Sequence, residues 1–213
     1  MDKGLITVKL LESDRTIINH IYEGIAEHLN KQLRTNTKNV IKTLKNSVKE
    51  WVKNQPEITS LLANGAYGSL SAHFGLTSSE AESAVRRIVL AVADSLQVKI
   101  KPITSKLKGT LEFNFQQTDF MNLLGLSEGH RTTAKGTDLH WLDWMTMKGD
   151  TTIILGYSYV AGPTGRAGGG EMNIGGMWRV PPEFSGTKTN NFITRAFEGT
   201  EEEIQGILKG LFI

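Results

Sequence analysis

Residues 16–53 read TIINHIYEGIAEHLNKQLRTNTKNVIKTLKNSVKEWVK, and this stretch decides the fold. Apolar residues recur in it at the spacing of one helix face: Ile18, Ile21, Ile25, Leu29, Leu33, Val40, Leu44, Val48 and Trp51. Ser13 or Asp14 can cap the helix, and Pro56 stops it. At about 1.5 Å per residue such a helix is on the order of 55 Å long, more than a small isolated domain usually spans. We therefore predict a long amphipathic helix that needs neighbours.

The same helix concentrates positive charge. Between positions 29 and 53 seven basic residues face one acid, Glu50. They are Lys31, Arg34, Lys38, Lys42, Lys45, Lys49 and Lys53. Their spacing of three or four places them in one sector, nearly opposite the apolar face. Two interpretations stay open: a solvated helix face, or an electrostatic face that meets nucleic acid or an acidic partner. The near absence of acids favours the second, because lysines four apart repel one another.

The composition is that of an ordinary globular chain. Of 213 residues, 39% are hydrophobic and 22% are charged, so neither disorder nor a fibrous repeat is indicated. Cysteine is absent, which excludes disulfides and thiolate metal sites and agrees with assembly in a reducing cytoplasm. The apolar stretch 5–11 is broken by Thr7 and Lys9, so we expect neither a signal peptide nor a membrane span.

Downstream of Pro56 the pattern predicts shorter elements. Short helices or turns fill 57–74, and Thr77-Ser78-Ser79-Glu80 is a capping box that opens a helix reaching Leu96. A short helix over 119–126, a polar loop over 127–137, and a helix capped by Asp138 and ended by Gly149 come next. Seven glycines between 161 and 176 predict a long flexible excursion, and Asn191 or Thr200 can cap the closing helices.

Strands are predicted near 97–103, 110–115, 151–160 and 177–180. The first two form a hairpin, and the continuous apolar middle of 151–160 indicates a central strand covered on both faces. The fold class is therefore α+β, with the long N-terminal helix and further helices packed on a small, mostly antiparallel sheet. A helical N-terminal region, 1–96, precedes an α+β region, 97–213, and we expect the two to form one continuous domain.

No local motif predicts catalysis. The glycine cluster lacks both Gly-Lys-Ser/Thr and the GxGxxG spacing, and neither a GxSxG elbow nor HExxH occurs. His140 and Asp143 lie three apart with Asp138 and Asp150 close by, but a second histidine at ligand spacing is lacking. We therefore predict no catalytic residue, no metal and no cofactor, while a site assembled from distant residues stays open.

The glycine-rich stretch and the segment after it combine Arg, Met, Trp and Phe, which are common anchors of protein interfaces. Candidate residues for contact with another subunit or ring are Arg166, Met172, Trp178, Arg179, Pro181, Pro182, Phe184, Asn191, Phe192 and Arg195. The alternative is that Trp178 and Phe184 tuck back onto their own core.

The C-terminal third resembles structural proteins of tailed bacteriophages. The residues that carry the resemblance are Trp141-Leu142-Asp143-Trp144, Gly149-Asp150-Thr151-Thr152-Ile153-Ile154, Arg166-Ala167-Gly168-Gly169, Trp178-Arg179-Val180-Pro181 and Asn191-Phe192-Ile193-Thr194-Arg195-Ala196-Phe197. The last of these, before an amphipathic helix, is similar to the end of the tail-completion and head-tail connector families. The resemblance covers roughly residues 138 to 213 and the general plan of a long N-terminal helix.

This resemblance implies a small sheet flanked by helices, in subunits that form a ring, commonly a hexamer, at the top of the tail tube. We therefore predict a virion neck protein, tail-completion or tail-terminator-like, that assembles in the host cytoplasm and joins head portal to tail. Its implied partners are copies of itself, neighbouring portal, connector, tail-tube or sheath proteins, and packaged DNA in the channel, with no membrane. The alternatives are a DNA-binding module that uses the face from Lys31 to Lys53, and another virion component such as a baseplate or capsid-accessory protein.

Overall fold

A computed structural model describes residue 9 and residues 11–115, 120–132, 136 and 138–212. Its helices are α1 (Asp14–Lys53), α2 (Pro56–Leu62), α3 (Leu70–Phe74), α4 (Ser78–Asp94), α5 (Met121–Leu124), α6 (Trp141–Thr146), α7 (Phe192–Ala196) and α8 (Glu201–Lys209). Its strands are β1 (Gln97–Lys101), β2 (Thr110–Asn114), β3 (His130–Thr132), β4 (Asp138–His140), β5 (Ile154–Ala161) and β6 (Gly170–Trp178). The α+β fold class is confirmed, and within the described ranges the strands pair as three separate antiparallel hairpins.

The long first helix is unbroken over 40 residues, as its periodicity predicts. Ser13 caps it: the backbone there is extended, and the hydroxyl accepts a hydrogen bond from the backbone N–H of Thr16. At the other end Pro56 begins α2, at a first-turn position where a helix needs no N–H donor. Pro56 therefore ends one helix and starts the next.

The main hydrophobic core forms where the C-terminal half of α1 meets the shorter helices. Val48 and Val52 of α1 share one buried cluster with Ile58 of α2 and Ile88 of α4, and all four are fully buried. Trp141 of α6 belongs to the same cluster and stacks on Phe74, with ring centroids 4.9 Å apart. Each such side chain contributes about 1.5–3 kcal/mol on burial. The cluster draws on both predicted regions, 1–96 and 97–213.

A smaller cluster covers the middle of α1. Leu33 and Val40 pack there with Leu211. Asn30 holds the β1–β2 hairpin beside them: its side-chain amide donates to the carbonyl of Ile103, and its oxygen accepts the Ile103 N–H, both at 2.8 Å. The predicted pairing of these two strands is confirmed.

The segment before α6 differs from the prediction. Part of the expected loop is strand β3, which pairs with β4 so that His130 lies opposite His140 and Thr132 opposite Asp138. Asp138 does not cap a helix, and α6 begins at Trp141 instead. The short helix expected over 119–126 exists as α5, while Asp119 lies outside the described residues. A sequence pattern shows only the local preference of Asp138 for a capping position. Pairing of its strand with β3, which begins eight residues earlier, outweighs that preference.

The prediction of a long flexible excursion over 161–176 is wrong. Residues 170–178 form β6, so only 162–169 turn between the strands. The glycines serve close approach rather than mobility. Gly169 has φ +91°, and a Cβ there would lie 2.4 Å from the carbonyl oxygen of Ala66. A Cβ on Gly170 would lie 2.2 Å from the hydroxyl of Tyr159.

The prediction that 151–160 is a central strand covered on both faces is also wrong. β5 has one partner, β6, and its apolar middle is not covered on both faces, since Leu155 is 73% exposed. A continuous apolar run indicates burial only when other elements are available to cover it. Here Ile153, Ile154 and Tyr159 pack against the main core, while Leu155 and Val160 are exposed.

The segment after β6 is fixed by Gly186 and Asn191. The Gly186 N–H donates to the carbonyl of Trp144 at 2.9 Å, and the Gly149 N–H donates to the carbonyl of Gly186 at 2.8 Å. Asn191 is buried and caps α7, as predicted, by accepting the N–H of Ile193. These bonds join α6 to the C-terminal helices.

We expect Gly186→Ala to destabilise the protein by roughly 2 kcal/mol or more, as overpacking against backbone does. The new Cβ would lie 1.9 Å from the carbonyl oxygen of Met145 and 2.7 Å from the Cβ of Asn191. Gly206→Ala is the matched control: nothing lies within 4 Å of its Cβ, and in the α8 interior it should stabilise by up to about 1 kcal/mol. Urea unfolding followed by circular dichroism measures both, and equal effects would contradict the packing at Gly186.

Candidate functional site

The N-terminal part of α1 exposes an apolar surface. Its first buried residue is Ala26. Before it, Ile18 is 47%, Ile21 53%, Tyr22 43% and Ile25 40% exposed. At about 100° per residue these four fall within one sector, on the side that further along carries the buried Leu33. We call this set the α1 stripe. Contiguous exposed apolar surface of this kind marks interaction sites.

A second exposed apolar surface lies on the β5–β6 hairpin. Ile174 is 92% and Met177 63% exposed, and Leu155 is the register partner of Met177. We call Leu155, Ile174 and Met177 the hairpin patch. Both ends of the hairpin are tied to the body, because the Gly68 N–H donates to the carbonyl of Gly169 and Trp178, at the other end, is buried in the main core cluster. The patch is therefore presented on a fixed support.

Between this hairpin and α3 lies a cleft of about 620 Å³. Apolar side chains dominate its wall, among them Ala72, Leu139 and Met172. His73 lines it too and stacks on Tyr159, with ring centroids 3.7 Å apart. Burial lowers the pKa of His73 to about 4, and its Nδ1 has no hydrogen-bond partner among the described residues. The ring is therefore neutral at ordinary pH.

Two arginines at the cleft share one carboxylate. Glu80 Oε1 accepts from Arg131 at 2.8 Å and from Arg166 at 3.1 Å. Partial burial opposes ionisation of Glu80, but hydrogen bonds from Thr77 and Arg131 outweigh it and lower the pKa of the carboxyl. Arg166, which we predicted to contact another subunit, is thus held by its own chain.

The other predicted contact residues divide into buried and exposed sets. Trp178, Asn191 and Phe192 lie in the chain's own core, which supports the alternative that Trp178 tucks inward. Arg195 pairs with Glu57, a fully buried carboxyl whose pKa burial raises despite the arginine.

On the outside, Arg179 is exposed and pairs with Asp150 at 3.0 Å. Met172 and Pro182 are exposed, and Pro181 is half-buried. Phe184 is half-buried and packs against the main core, which supports the alternative that it tucks inward. The structure therefore does not bring the ten predicted residues into one surface.

The basic face of α1 is only partly neutralised. Lys45 pairs with Asp94 and Lys53 with Glu50, both at 2.8 Å, and Lys49 reaches Asn46 at 3.5 Å. The remaining four are exposed and form no ion pair with any described residue: Lys31, Arg34, Lys38 and Lys42. We call these four the basic quartet. The first half of the predicted face is therefore exposed and without ion pairs among the described residues, while its second half contacts other side chains of the chain.

The structure also brings a second histidine next to His140, which the spacing along the sequence did not indicate. His130 of β3 faces His140 of β4, and each has a ring nitrogen 3.1 Å from Oδ2 of Asp138. Asp143 and Asp150, the other acids near His140 in sequence, pair instead with Lys148 and Arg179. His130 was missed because it lies in the expected loop; the signal was the alternation His-x-Thr at 130–132 followed by Asp-x-His at 138–140.

No family model, curated sequence or solved structure matches this chain. Within the described residues, none of the helices combines the length and the apolar character needed to cross a bilayer.

His73 makes stability depend on pH. Its pKa falls from 6.5 in the unfolded chain to about 4 in the fold. Between these values the unfolded chain binds the proton and the fold does not, so stability present above pH 6.5 is lost as the pH falls towards 4, by up to about 3 kcal/mol.

We expect His73→Phe to remove this part of the pH dependence in urea unfolding measured at pH 7 and pH 4.5, because Phe keeps the ring and cannot take a proton. His28→Phe is the control: it makes the same substitution at an exposed position of α1, and the slope should persist because His73 is intact. A wild-type slope retained in His73→Phe would show that His73 is not buried as described.

Proposed function

We propose that this chain is a structural subunit of the neck of a tailed phage, tail-completion or tail-terminator-like, which assembles into a ring joining head portal to tail. The resemblance of residues 138 to 213 to such proteins supports the assignment. The observation that carries it is the α1 stripe, an apolar face held in a continuous helix and left uncovered by the described chain. A subunit built for assembly has this property, whereas a monomer rarely keeps such a surface.

Ring assembly needs two different surfaces on each subunit, because head-to-tail contacts are heterologous. The chain offers two, the α1 stripe and the hairpin patch, on different elements. In the proposed ring the stripe of one copy packs on the hairpin of the next. The occupant of each surface is thus a second copy of the same chain.

The energetics favour closure over an isolated pair. The seven side chains of the two surfaces are 40–92% exposed, and each gains roughly 1–2 kcal/mol on full burial. Their sum, on the order of 10 kcal/mol, is comparable to the cost of association. A single contact is therefore weak, and a closed ring, in which every subunit uses both surfaces, is stable.

The α1 geometry suits such a contact. The segment of α1 from Asp14 to Ile25 precedes the first buried residue, Ala26. At the helical rise it is about 18 Å long. Because the rest of α1 is packed in the core, this extension is held at a fixed angle. It can reach a neighbour without ordering a flexible segment, so little conformational entropy opposes the contact.

We expect Ile21→Glu and Ile174→Glu each to abolish ring formation, with roughly a hundredfold weaker self-association, because each buries a charge in one half of the interface. Mass photometry and light scattering of the purified protein measure the assembly state. Asn19→Glu adds the same charge to the same exposed helix outside the stripe and should assemble normally.

Mixing the two variants sharpens the test. Ile21→Glu keeps an intact hairpin patch and Ile174→Glu an intact stripe, so a heterologous interface predicts dimers that contain one copy of each and no larger rings. A wild-type chain that stays strictly monomeric at all concentrations, and is absent from virions, would end the neck proposal.

The basic quartet supports a second candidate, a DNA-binding module, because four exposed cations on one helix face can follow a phosphate backbone. In the neck this same face would meet packaged DNA in the channel or an acidic neighbouring surface. The two candidates differ in whether the free chain binds DNA by itself.

Reversing the quartet to Glu should weaken duplex DNA binding more than tenfold at low salt if the quartet contacts phosphates, and it should reduce the salt slope by about 3–4. A gel-shift series over salt measures this. The control reverses Lys99, Lys101, Lys106 and Lys108 of the β1–β2 hairpin, which changes the net charge equally. Equal losses in both variants would mean that net charge, not this face, is responsible.

A further inference from the structure

The β3–β4 hairpin collects metal-ligating side chains on one of its faces. His130 is opposite His140 in the register, and Asp138 is the diagonal neighbour of His130. Residues two apart on a strand share a face, so these three side chains lie together. Arg131 and Leu139 take the opposite face and line the cleft beside α3. The histidine–aspartate cluster is therefore separate from that cleft.

The spacing of the three groups fits one small cation. One ring nitrogen of each histidine, Nδ1 of His130 and Nε2 of His140, lies 3.1 Å from Oδ2 of Asp138, and all three ligand atoms lie within 4.8 Å of one another. Ligand atoms at 2.0–2.1 Å around a tetrahedral Zn²⁺ are about 3.3 Å apart. Small side-chain adjustments are enough to bring the three atoms onto one ion.

The hydrogen bonding of His130 orients its free nitrogen. Nε2 lies 3.3 Å from the carbonyl oxygen of Leu124, where an N–H donates. In the neutral ring Nδ1 then carries a lone pair, and it points at the carboxylate of Asp138. Two lone pairs do not face each other at 3.1 Å without a cation or a proton between them. A ligating histidine whose other N–H donates to a carbonyl is the usual arrangement at metal sites.

We propose that His130, Asp138 and His140 bind a divalent transition-metal ion of the Zn²⁺ class. Two imidazoles and one carboxylate are ligands that such ions accept, and three protein ligands leave a fourth position for water. The side chains are 28%, 50% and 43% exposed in that order, so the fourth position is open to solvent.

The ion would stabilise the hairpin. Three residue pairs form β3 and β4, and so short a hairpin is marginal by itself. A metal that joins both strands adds its binding free energy to their pairing. Because Arg131 and Leu139 lie on the other face, the ion would also fix the wall of the cleft.

The full-length protein, treated with EDTA and dialysed, is titrated with Co²⁺ and then Zn²⁺. We expect one Co²⁺ per chain with the visible absorption of a four-coordinate site, its loss on adding Zn²⁺, and a rise in Tm of about 5–10 °C at a hundredfold excess of Zn²⁺ over Kd. Asp138→Asn and His140→Gln should each weaken binding at least tenfold and lose the rise in Tm.

His20→Gln is the matched control. The His20 ring lies 3.6 Å from Glu12, and the described residues offer no third ligand there. This variant should bind Co²⁺ as the wild type does. Unfolding measured in EDTA shows whether each variant is folded. If one of the two ligand variants fails to fold, the other still tests the proposal.

Absence of saturable Co²⁺ binding in the wild type, or unchanged binding in both Asp138→Asn and His140→Gln, would overturn the proposal and leave a proton-mediated His130–Asp138 pair. Loss of binding in His20→Gln alone would place the ion elsewhere. Ile21→Glu, which disrupts the proposed ring, should still bind one Co²⁺, so the outcome is independent of the neck assignment.

Discussion

Burial of one face of α1 from Ala26 to Val52 is the interaction on which the rest of the structure depends. α4, α2, α7 and α8 all contact this helix, and the β1–β2 hairpin is tied to it through Asn30. Leu44, Val48 and Val52 are fully buried there, and each contributes about 1.5–3 kcal/mol. The same burial fixes the direction of the unburied N-terminal part. A helix anchored along most of its length carries its end as a rigid extension, and so the α1 stripe has a defined position.

The helices could be predicted from sequence because their signals are local. Ser13, the Thr77–Glu80 pair and Asn191 each bond to backbone within three residues, and all three caps are present. The β5–β6 hairpin could not be predicted in this way. Whether Gly169 is a flexible residue or a close contact depends on Ala66, about a hundred positions earlier, and a local pattern contains no information on that distance. Glycine clusters are therefore ambiguous until the neighbour is known.

The candidate site also divides into features that local sequence patterns predict and features that depend on distant residues. Periodicity places seven basic residues on one face of α1, but only the tertiary fold decides that Lys45 meets Asp94 while Lys38 stays exposed. Trp178 has the composition of an interface anchor and lies in the core, since aromatic side chains serve both purposes. His130 escaped notice because strand pairing, not helical spacing, brings it to His140. Local rules thus find the charged face, and non-local contacts decide which part of it stays exposed.

The buried Glu57–Arg195 pair changes how the phage resemblance is understood. It joins α2 to α7 across 138 positions of the chain, and removing one partner would leave an uncompensated buried group, which is costly. Asn191, Phe192 and Arg195, which belong to the segment that carries the resemblance, are thus engaged inside this chain. That segment therefore serves this chain's own core, and its residues are not available to a neighbouring subunit. In the proposed ring the surfaces that meet a neighbour are the α1 stripe and the hairpin patch. Packing within the chain does not constrain the exposed side chains of these surfaces, so they can match the partner.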